Sequence, residues 1–216
     1  MHSKAKIIAV TDRRIMARPF ADQIAAVAES GADMIILREK GLIEPEYRYL
    51  ATECLAICTE YSIPMCVNSY IRTARALNIE DVQLPLGKMR ELRDRDGLSS
   101  VGVSVHSVKE AREAERLGAD YLIAGPVFKT KCKPDAVPKG TGLITDVFSS
   151  VDIPVYAIGG ITPYNIARIS SKGASGACIR SPMMTGGNLR VLVRELRTNF
   201  DAGLEHLQIA GDLVQY

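Results

Sequence analysis

The sequence lacks a charge bias, a long apolar run and a metal-ligand pattern, and each absence removes a class of function. Lys and Arg number 27 against 25 Asp and Glu, a formal net charge of +2. That balance makes no global basic field for nucleic acid and no acidic tail. A small anion can still meet a local cationic pocket. No apolar stretch approaches the roughly 20 residues of a membrane-spanning helix. The segment Met1-His2-Ser3-Lys4-Ala5-Lys6 leads into a short apolar run and then into Thr11-Asp12-Arg13-Arg14, without the length or cleavage pattern of a signal peptide. The expected compartment is the cytoplasm, with neither membrane nor nucleic acid as partner. Glycine (17) and proline (10) are too few for a collagenous or low-complexity chain of 216 residues. The five cysteines, Cys54, Cys58, Cys66, Cys132 and Cys178, are odd in number and match no zinc or thioredoxin spacing. Cys54 and Cys58, four apart on a helical stretch, read as small apolar packing residues. No Asp, Glu or His cluster has transition-metal spacing, so no metal site is expected.

What is present is a globular composition, 47% hydrophobic and 24% charged, on a chain long enough for one large core. Short β-type apolar runs recur at Lys6–Thr11, Met34–Arg38, Pro64–Asn68, Asp81–Leu84, Ser100–Val105, Tyr121–Ala124, Pro154–Ile158 and Ala177–Arg180. They are continuous rather than alternating, as parallel strands buried on both faces require. Helical segments follow them, most clearly Phe20–Glu29, Pro45–Tyr61, Val108–Leu117, Pro163–Lys172 and Leu189–Phe200. Pro45 and Pro163 suit a first helical turn, and Ser107 suits an N-cap. Gly31-Ala32-Asp33, Gly118-Ala119-Asp120 and Gly173-Ala174-Ser175 each end a helix just before a strand, a repeated junction. Eight strand–helix units without a linker predict an α/β fold, a single-domain (β/α)8 TIM barrel over residues 1–200, with a C-terminal tail at 201–216. The doubly wound sheet uses the same units and is the competing fold.

In a barrel the chemistry lies at the carboxyl ends of the strands. Gly159 and Gly160 after the seventh strand, with Arg180 and Ser181 after the eighth, match the recurrent barrel phosphate site; a plain tight turn is the alternative. Arg38 ends a buried strand, where an unpaired charge is costly, so it faces either a ligand anion or the internal acid Glu39. Lys40, Lys133 and Lys131 extend this cationic group toward a carboxylate or diphosphate. Asn68, Gln83, Ser104 and His106 suit the orientation of a polar ring. His106, the only histidine in the body of the chain, is either an acid–base group or a structural hydrogen-bonding residue. The stretch Val127–Gly140 is long, polar and basic, and reads as a mobile lid or as a solvated loop. Cys132 within it is a candidate proton donor or acceptor, its pKa lowered by neighbouring lysines.

Six stretches, taken together and in this order, resemble the thiamine phosphate synthase and TenI family. They are Ala9-Val10-Thr11-Asp12, Leu37-Arg38-Glu39-Lys40, Val103-Ser104-Val105-His106-Ser107, Gly118-Ala119-Asp120-Tyr121, Gly125-Pro126-Val127-Phe128 with Thr130 and Lys133, and Ala157-Ile158-Gly159-Gly160-Ile161. The likeness covers nearly the whole chain and implies a (β/α)8 barrel acting on thiazole phosphate in thiamine biosynthesis. The synthase branch joins hydroxymethylpyrimidine diphosphate to thiazole phosphate with Mg²⁺. The resemblance implies an Asp after the Asn of the third strand, a second acid after the fourth, and a Gln at position 36. This chain has Ser69, Lys88 and Ile36 there, and neither Ser nor Lys replaces a carboxylate as a hard Mg²⁺ ligand.

Val82-Gln83-Leu84-Pro85 and Cys132-Lys133 look instead like the TenI branch of thiazole tautomerases, which move a proton without metal. That branch places a His where this chain has Pro126, so His106 or Cys132 would have to carry the proton. The expectation is therefore a metal-independent thiazole tautomerase. His106 and Cys132 would be catalytic, with Arg38, Lys40, Asn68, Gln83, Ser104, Thr130 and Lys133 on the substrate. Gly159, Gly160, Arg180 and Ser181 would hold the phosphate. The alternatives are a synthase with an altered Mg²⁺ site and a non-catalytic thiazole phosphate-binding or regulatory homologue. An exposed barrel helix is compatible with a homo-oligomer.

Overall fold

A computed structural model describes residues 5–130 and 137–212, with the backbone alone for 206–212. Eight parallel strands close into a barrel in chain order: β1 (Lys6–Val10), β2 (Met34–Leu37), β3 (Met65–Asn68), β4 (Asp81–Pro85), β5 (Ser100–Val105), β6 (Tyr121–Ala124), β7 (Val155–Ile158) and β8 (Gly176–Ile179). β8 returns to β1 with Ile7 opposite Ala177 and Ala9 opposite Ile179, which closes the sheet without an edge. The strands alternate two buried faces. Ile7, Ala9, Ile35 and Leu37 face the helices. Ile8, Val10, Ile36, Cys66, Tyr121, Ile123, Tyr156 and Cys178 cluster separately, in the barrel interior. Tyr121 and Tyr156 meet edge-on there, centroids 5.5 Å apart. The competing doubly wound sheet is excluded by the β8–β1 pairing.

The outer layer comprises α1 (Phe20–Glu29), α2 (Glu44–Glu60), α3 (Ile71–Ala76), α4 (Leu86–Glu91), α5 (Val108–Arg116), α6 (Gly142–Phe148), α7 (Ala167–Ser170), α8 (Ser181–Met184) and α9 (Leu189–Asp212). Ser107 caps α5, its side chain accepting from the Glu110 amide. The expected helix Pro163–Lys172 is regular only over Ala167–Ser170; the residues before it form tighter turns with three-residue bonds, Asn165 N to Thr162 O at 3.2 Å and Arg168 N to Asn165 O at 3.1 Å.

The repeated junction has a physical meaning. Gly31, Gly118 and Gly173 all take left-handed backbone, at φ 87°, 87° and 90°, and stop their helices. The residue two positions later then docks on the preceding strand. Asp33 donates its amide to Ile7 O at 2.9 Å and accepts the Ile7 amide on Oδ2 at 2.7 Å. Asp120 does the same with Val101, at 2.9 and 2.6 Å. Ser175 keeps only the backbone half, to Val155 O at 2.8 Å.

The helix expected to end at Phe200 continues to Asp212, so residue 201 is no structural boundary. Phe200 is buried, Leu204 packs on the core, and Gly203 lies so close to α7 that a Cβ there would stand 2.1 Å from Ser170 Oγ. Arg197 of the same helix bonds Asp33 Oδ2 at 2.7 Å and Ala5 O at 2.8 Å, tying the helix to the bottom of β1. No described helix is long and apolar enough to cross a membrane.

Candidate active site

The carboxyl ends of the strands surround a cavity of about 510 Å³, within the usual range for small-molecule sites. Its apolar walls include Val10, Ile36, Ile123 and Ile158. Among its described lining residues Arg38, Lys40, Lys129 and Arg180 are cationic, and none is acidic.

The acids nearest this mouth are already engaged. Glu39 is buried and accepts from Thr11 Oγ1 at 2.5 Å and from the Arg13 amide at 3.1 and 3.0 Å. Burial pushes its carboxyl above the ordinary range, against the pull of those bonds. Asp12 accepts from Arg14 Nε on Oδ1 at 2.8 Å and from Arg14 Nη2 on Oδ2 at 2.9 Å, and Arg180 Nη1 stands 3.4 Å from the same Oδ2. The Arg14 bond, helped by the charges of Arg14 and Arg180 and opposed by burial, holds the Asp12 carboxyl below the ordinary range. Arg38 therefore has no internal salt bridge with Glu39, because Glu39 is taken by β1 and the turn after it. Its Nη1 is buried with no hydrogen-bond partner among the described residues. Burial lowers the pKa of both Arg38 and Arg180, and the charge of Arg38 lowers that of Arg180 further. Two guanidiniums that repel each other line one cavity, and the more buried keeps an unmet donor.

A polar chain crosses the opposite wall. Asn68 donates from Nδ2 to Gln83 O at 3.1 Å, and Gln83 donates from Nε2 to Ser104 Oγ at 2.9 Å. Gln83 Oε1 is buried and accepts from none of the described residues. Gly102 is glycine for this reason: a Cβ there would stand 2.1 Å from the Tyr121 ring and 2.3 Å from Gln83 Oε1. His106 lines the mouth and is exposed. Its Nδ1 pairs with Gly125 O. A carbonyl can only accept, so Nδ1 carries the proton and Nε2 is the basic nitrogen.

The loops after β6 and β7 are pressed together. Gly159 and Gly160 have φ of 108° and 64°. A Cβ on Gly159 would meet Pro126 Cβ at 2.7 Å, and one on Gly160 would meet Lys129 O at 2.4 Å. Phe128 N donates to Gly159 O and Asn165 Nδ2 to Gly160 O, both at 2.9 Å. Ser181 opens α8 beside them and Thr130 joins the lining. Thus Arg38, Lys40, Asn68, Gln83, Ser104, His106, Thr130, Gly159, Gly160, Arg180 and Ser181 converge on one cavity. Cys132, Lys133 and Lys131 lie outside the described residues. The far end of their loop is anchored by bonds from Lys139 N to Pro126 O (2.9 Å) and from Gly140 N to Val127 O (3.0 Å). Sequence reading did not single out Lys129, although the basic run after β6 contains it; it marked Lys88 only as a missing acid and not as a cation of the site.

Mg²⁺ belongs to the synthase reading, so the donor set bears on it. Mg²⁺ is bound through carboxylates, water and phosphate oxygens in near-octahedral geometry. No three described His, Cys, Asp or Glu residues are placed to hold a metal. At the positions where the resemblance implies acids, Lys88 Nζ donates to Ser69 O at 2.8 Å. The described residues do not fit a carboxylate-held Mg²⁺.

The fold and cavity define a (β/α)8 barrel enzyme whose mouth is polar and cation-lined. The chain belongs to the thiamine monophosphate synthase family of thiamine biosynthesis, whose profile matches residues 7–183. It is 37% identical over 160 residues to the thiamine-phosphate synthase of Halalkalibacterium halodurans, covering 71% of this chain and 75% of that one. Identity to the thiamine-phosphate synthase of Pyrococcus abyssi is 35% over 199 residues, 90% and 94% of the two chains. The solved thiamine phosphate pyrophosphorylase of Pyrococcus furiosus superposes with a TM-score of 0.80 at 32% identity, covering 93% of this chain and 98% of that one.

Proposed function

We propose that the protein is a transferase of the thiamine-phosphate synthase type. It joins hydroxymethylpyrimidine diphosphate to thiazole phosphate. The thiazole nitrogen attacks the pyrimidine methylene carbon, the carbon–oxygen bond to diphosphate breaks, and the diphosphate leaves with the bonding electrons. The observation that carries this reading is the buried Arg38 Nη1 beside Arg180, without a hydrogen-bond partner among the described residues. A donor left unmet in the interior is costly and calls for an anionic partner. The named relatives, matched over most of their length, favour the transferase over the tautomerase expected from Gln83 and the Cys132 loop.

In this reading Arg38, Lys40 and Arg180 hold the leaving diphosphate, and positive charge there stabilises the charge that develops as it departs. Gly159, Gly160, Thr130 and Ser181 hold the thiazole phosphate, with glycines admitting close backbone approach. Gln83 Oε1 accepts an N–H from an amino substituent on the pyrimidine, while Asn68 and Ser104 fix the plane of its ring. Mixing both substrates with the protein and following thiamine phosphate and free diphosphate tests the reading; absence of both products at saturating substrate contradicts it.

Thiazole tautomerase remains the second reading, favoured by one observation: the described lining residues include no carboxylate but do include His106, with Nε2 as its basic nitrogen. His106 or Cys132 would then move the proton, and Arg38 would clamp the substrate carboxylate. Conversion of a carboxylated dihydrothiazole phosphate to its aromatic isomer in D2O, with deuterium incorporated, would select it. Binding of thiazole phosphate without either turnover would select the non-catalytic homologue.

A further inference from the structure

We propose that Lys88 supplies, at the carboxyl ends of β3 and β4, the positive charge that a carboxylate-held divalent cation would otherwise bring, so that the site takes a diphosphate without metal. The inference rests on the transferase reading and deepens it.

Lys88 sits in α4, directly after β4. Its ammonium donates to Ser69 O at 2.8 Å, and Ser69 lines the cavity. The same ammonium lies 5.9 Å from the Tyr70 ring centroid, within range of a cation–π contact. That ring is held in place: Tyr70 stacks on Tyr47 at 3.8 Å and donates from its hydroxyl to Leu42 O at 2.6 Å. Tyr47 in turn donates to Leu37 O at 2.6 Å and accepts the Asn68 amide at 3.2 Å, bridging β2 and β3. Ser69 takes left-handed backbone at φ 72°, a conformation that costs a non-glycine residue and persists only where surroundings enforce it. The carbonyl, the aromatic face and the strained turn together fix a cation at this rim.

The chemistry of the exchange is consistent. Mg²⁺ needs anionic oxygen ligands from the protein or substrate, whereas an ammonium is tethered by its own side chain and needs only acceptors. Among the described residues one of its three N–H groups is used, on Ser69 O; the other two suit diphosphate oxygens. The lining has cations and no described carboxylate, so a diphosphate meets no repulsion that a metal would have to offset.

The test uses full-length protein, inorganic diphosphate as probe, and calorimetric titration in EDTA and again in excess Mg²⁺. Wild type is expected to bind in EDTA, with a Kd that Mg²⁺ changes by less than about threefold. Lys88→Ala should weaken binding in EDTA by about tenfold or more, the scale of one charge-assisted hydrogen bond, and Lys88→Arg should keep most of it. The Ser69→Asp, Lys88→Asp double variant should bind only with Mg²⁺. Wild-type binding that requires Mg²⁺, or Lys88→Ala binding as wild type does in EDTA, overturns the role of Lys88 and leaves the transferase reading standing. No diphosphate binding in either medium, with thiazole phosphate still bound, counts against the transferase reading and the inference together.

Discussion

Arg180 Nη1 lies 3.4 Å from Asp12 Oδ2, joining the end of β8 to the end of β1 at the seam where the barrel closes. Asp12 is thereby shared between Arg14, which it holds in a two-point pair, and Arg180. Arg38, directly after the next strand, has no such partner among the described residues. The seam therefore carries more buried positive charge than the described residues neutralise, and an anionic ligand is what would complete it.

Removing Arg38 should separate binding from stability. Arg38→Met keeps most of the apolar stem but deletes a buried, unpaired charge. Thermal melts should show an unchanged or higher midpoint. Affinity for diphosphate should fall by about tenfold or more. A lower midpoint with intact affinity would mean that the guanidinium serves the fold and not a ligand.

Asp33 should matter more than an ordinary surface acid. It binds the Ile7 amide and Arg197, linking β1, the first βα junction and α9. Asp33→Ala should cost about 2–3 kcal/mol, because the strand amide and the guanidinium both lose a charged acceptor. Asp120→Ala, at the more exposed repeat of the same junction, should cost less. Urea unfolding of the two variants side by side checks the order.

Glu39 and Asp12 have opposite signs in acid. Burial raises the folded-state pKa of Glu39 above its ordinary 4.5, so the folded protein binds a proton there before the unfolded chain does. As pH falls from neutrality toward 4.5, Glu39 contributes increasing stability to the fold. The folded-state pKa of Asp12 is lowered, so its contribution is present above the ordinary 3.8 and is lost only as pH falls below that. Glu39→Gln should remove the first effect. The stability of wild type relative to Glu39→Gln should therefore rise between neutrality and about pH 4.5; a flat difference would show that Glu39 titrates as an ordinary acid, and a falling one that its bonds to Thr11 and Arg13 outweigh burial.

Gly160→Ala should disable phosphate binding with a modest loss of stability. The residue has φ 64°, and a methyl would stand 2.4 Å from Lys129 O. The loops after β6 and β7 must then part, at a cost of about 1–3 kcal/mol. Titration with thiazole phosphate should show affinity reduced by far more than the change in melting temperature suggests.

The barrel is legible in the sequence because its strands are short continuous apolar runs and its junctions repeat. Ile7 to Val10 and Val101 to Val105 announce themselves, as do Gly31 and Gly118. Four of the five shorter helices, α3, α4, α6 and α8, do not, since four to seven residues hold too few turns for an apolar period to emerge. The helix end expected at Phe200 lies further on because Gly203 packs against α7 and Leu204 against the core, contacts that carry α9 to Asp212. The strand-end rule places every described site candidate on the cavity. Partnership is what the sequence does not carry. Glu39 follows Arg38 directly, yet bonds across to Thr11 and Arg13. Lys88 meets Ser69 across a gap of nineteen positions, a pairing that only the β3–β4 register creates.

The most direct test of the transferase reading is a single ³¹P NMR time course with purified protein, hydroxymethylpyrimidine diphosphate and thiazole phosphate. The account predicts loss of the substrate diphosphate signals with matched growth of free diphosphate and thiamine phosphate. Unchanged substrate spectra over many enzyme equivalents, in a preparation that converts carboxylated dihydrothiazole phosphate to its aromatic isomer, would contradict it and make the protein a tautomerase.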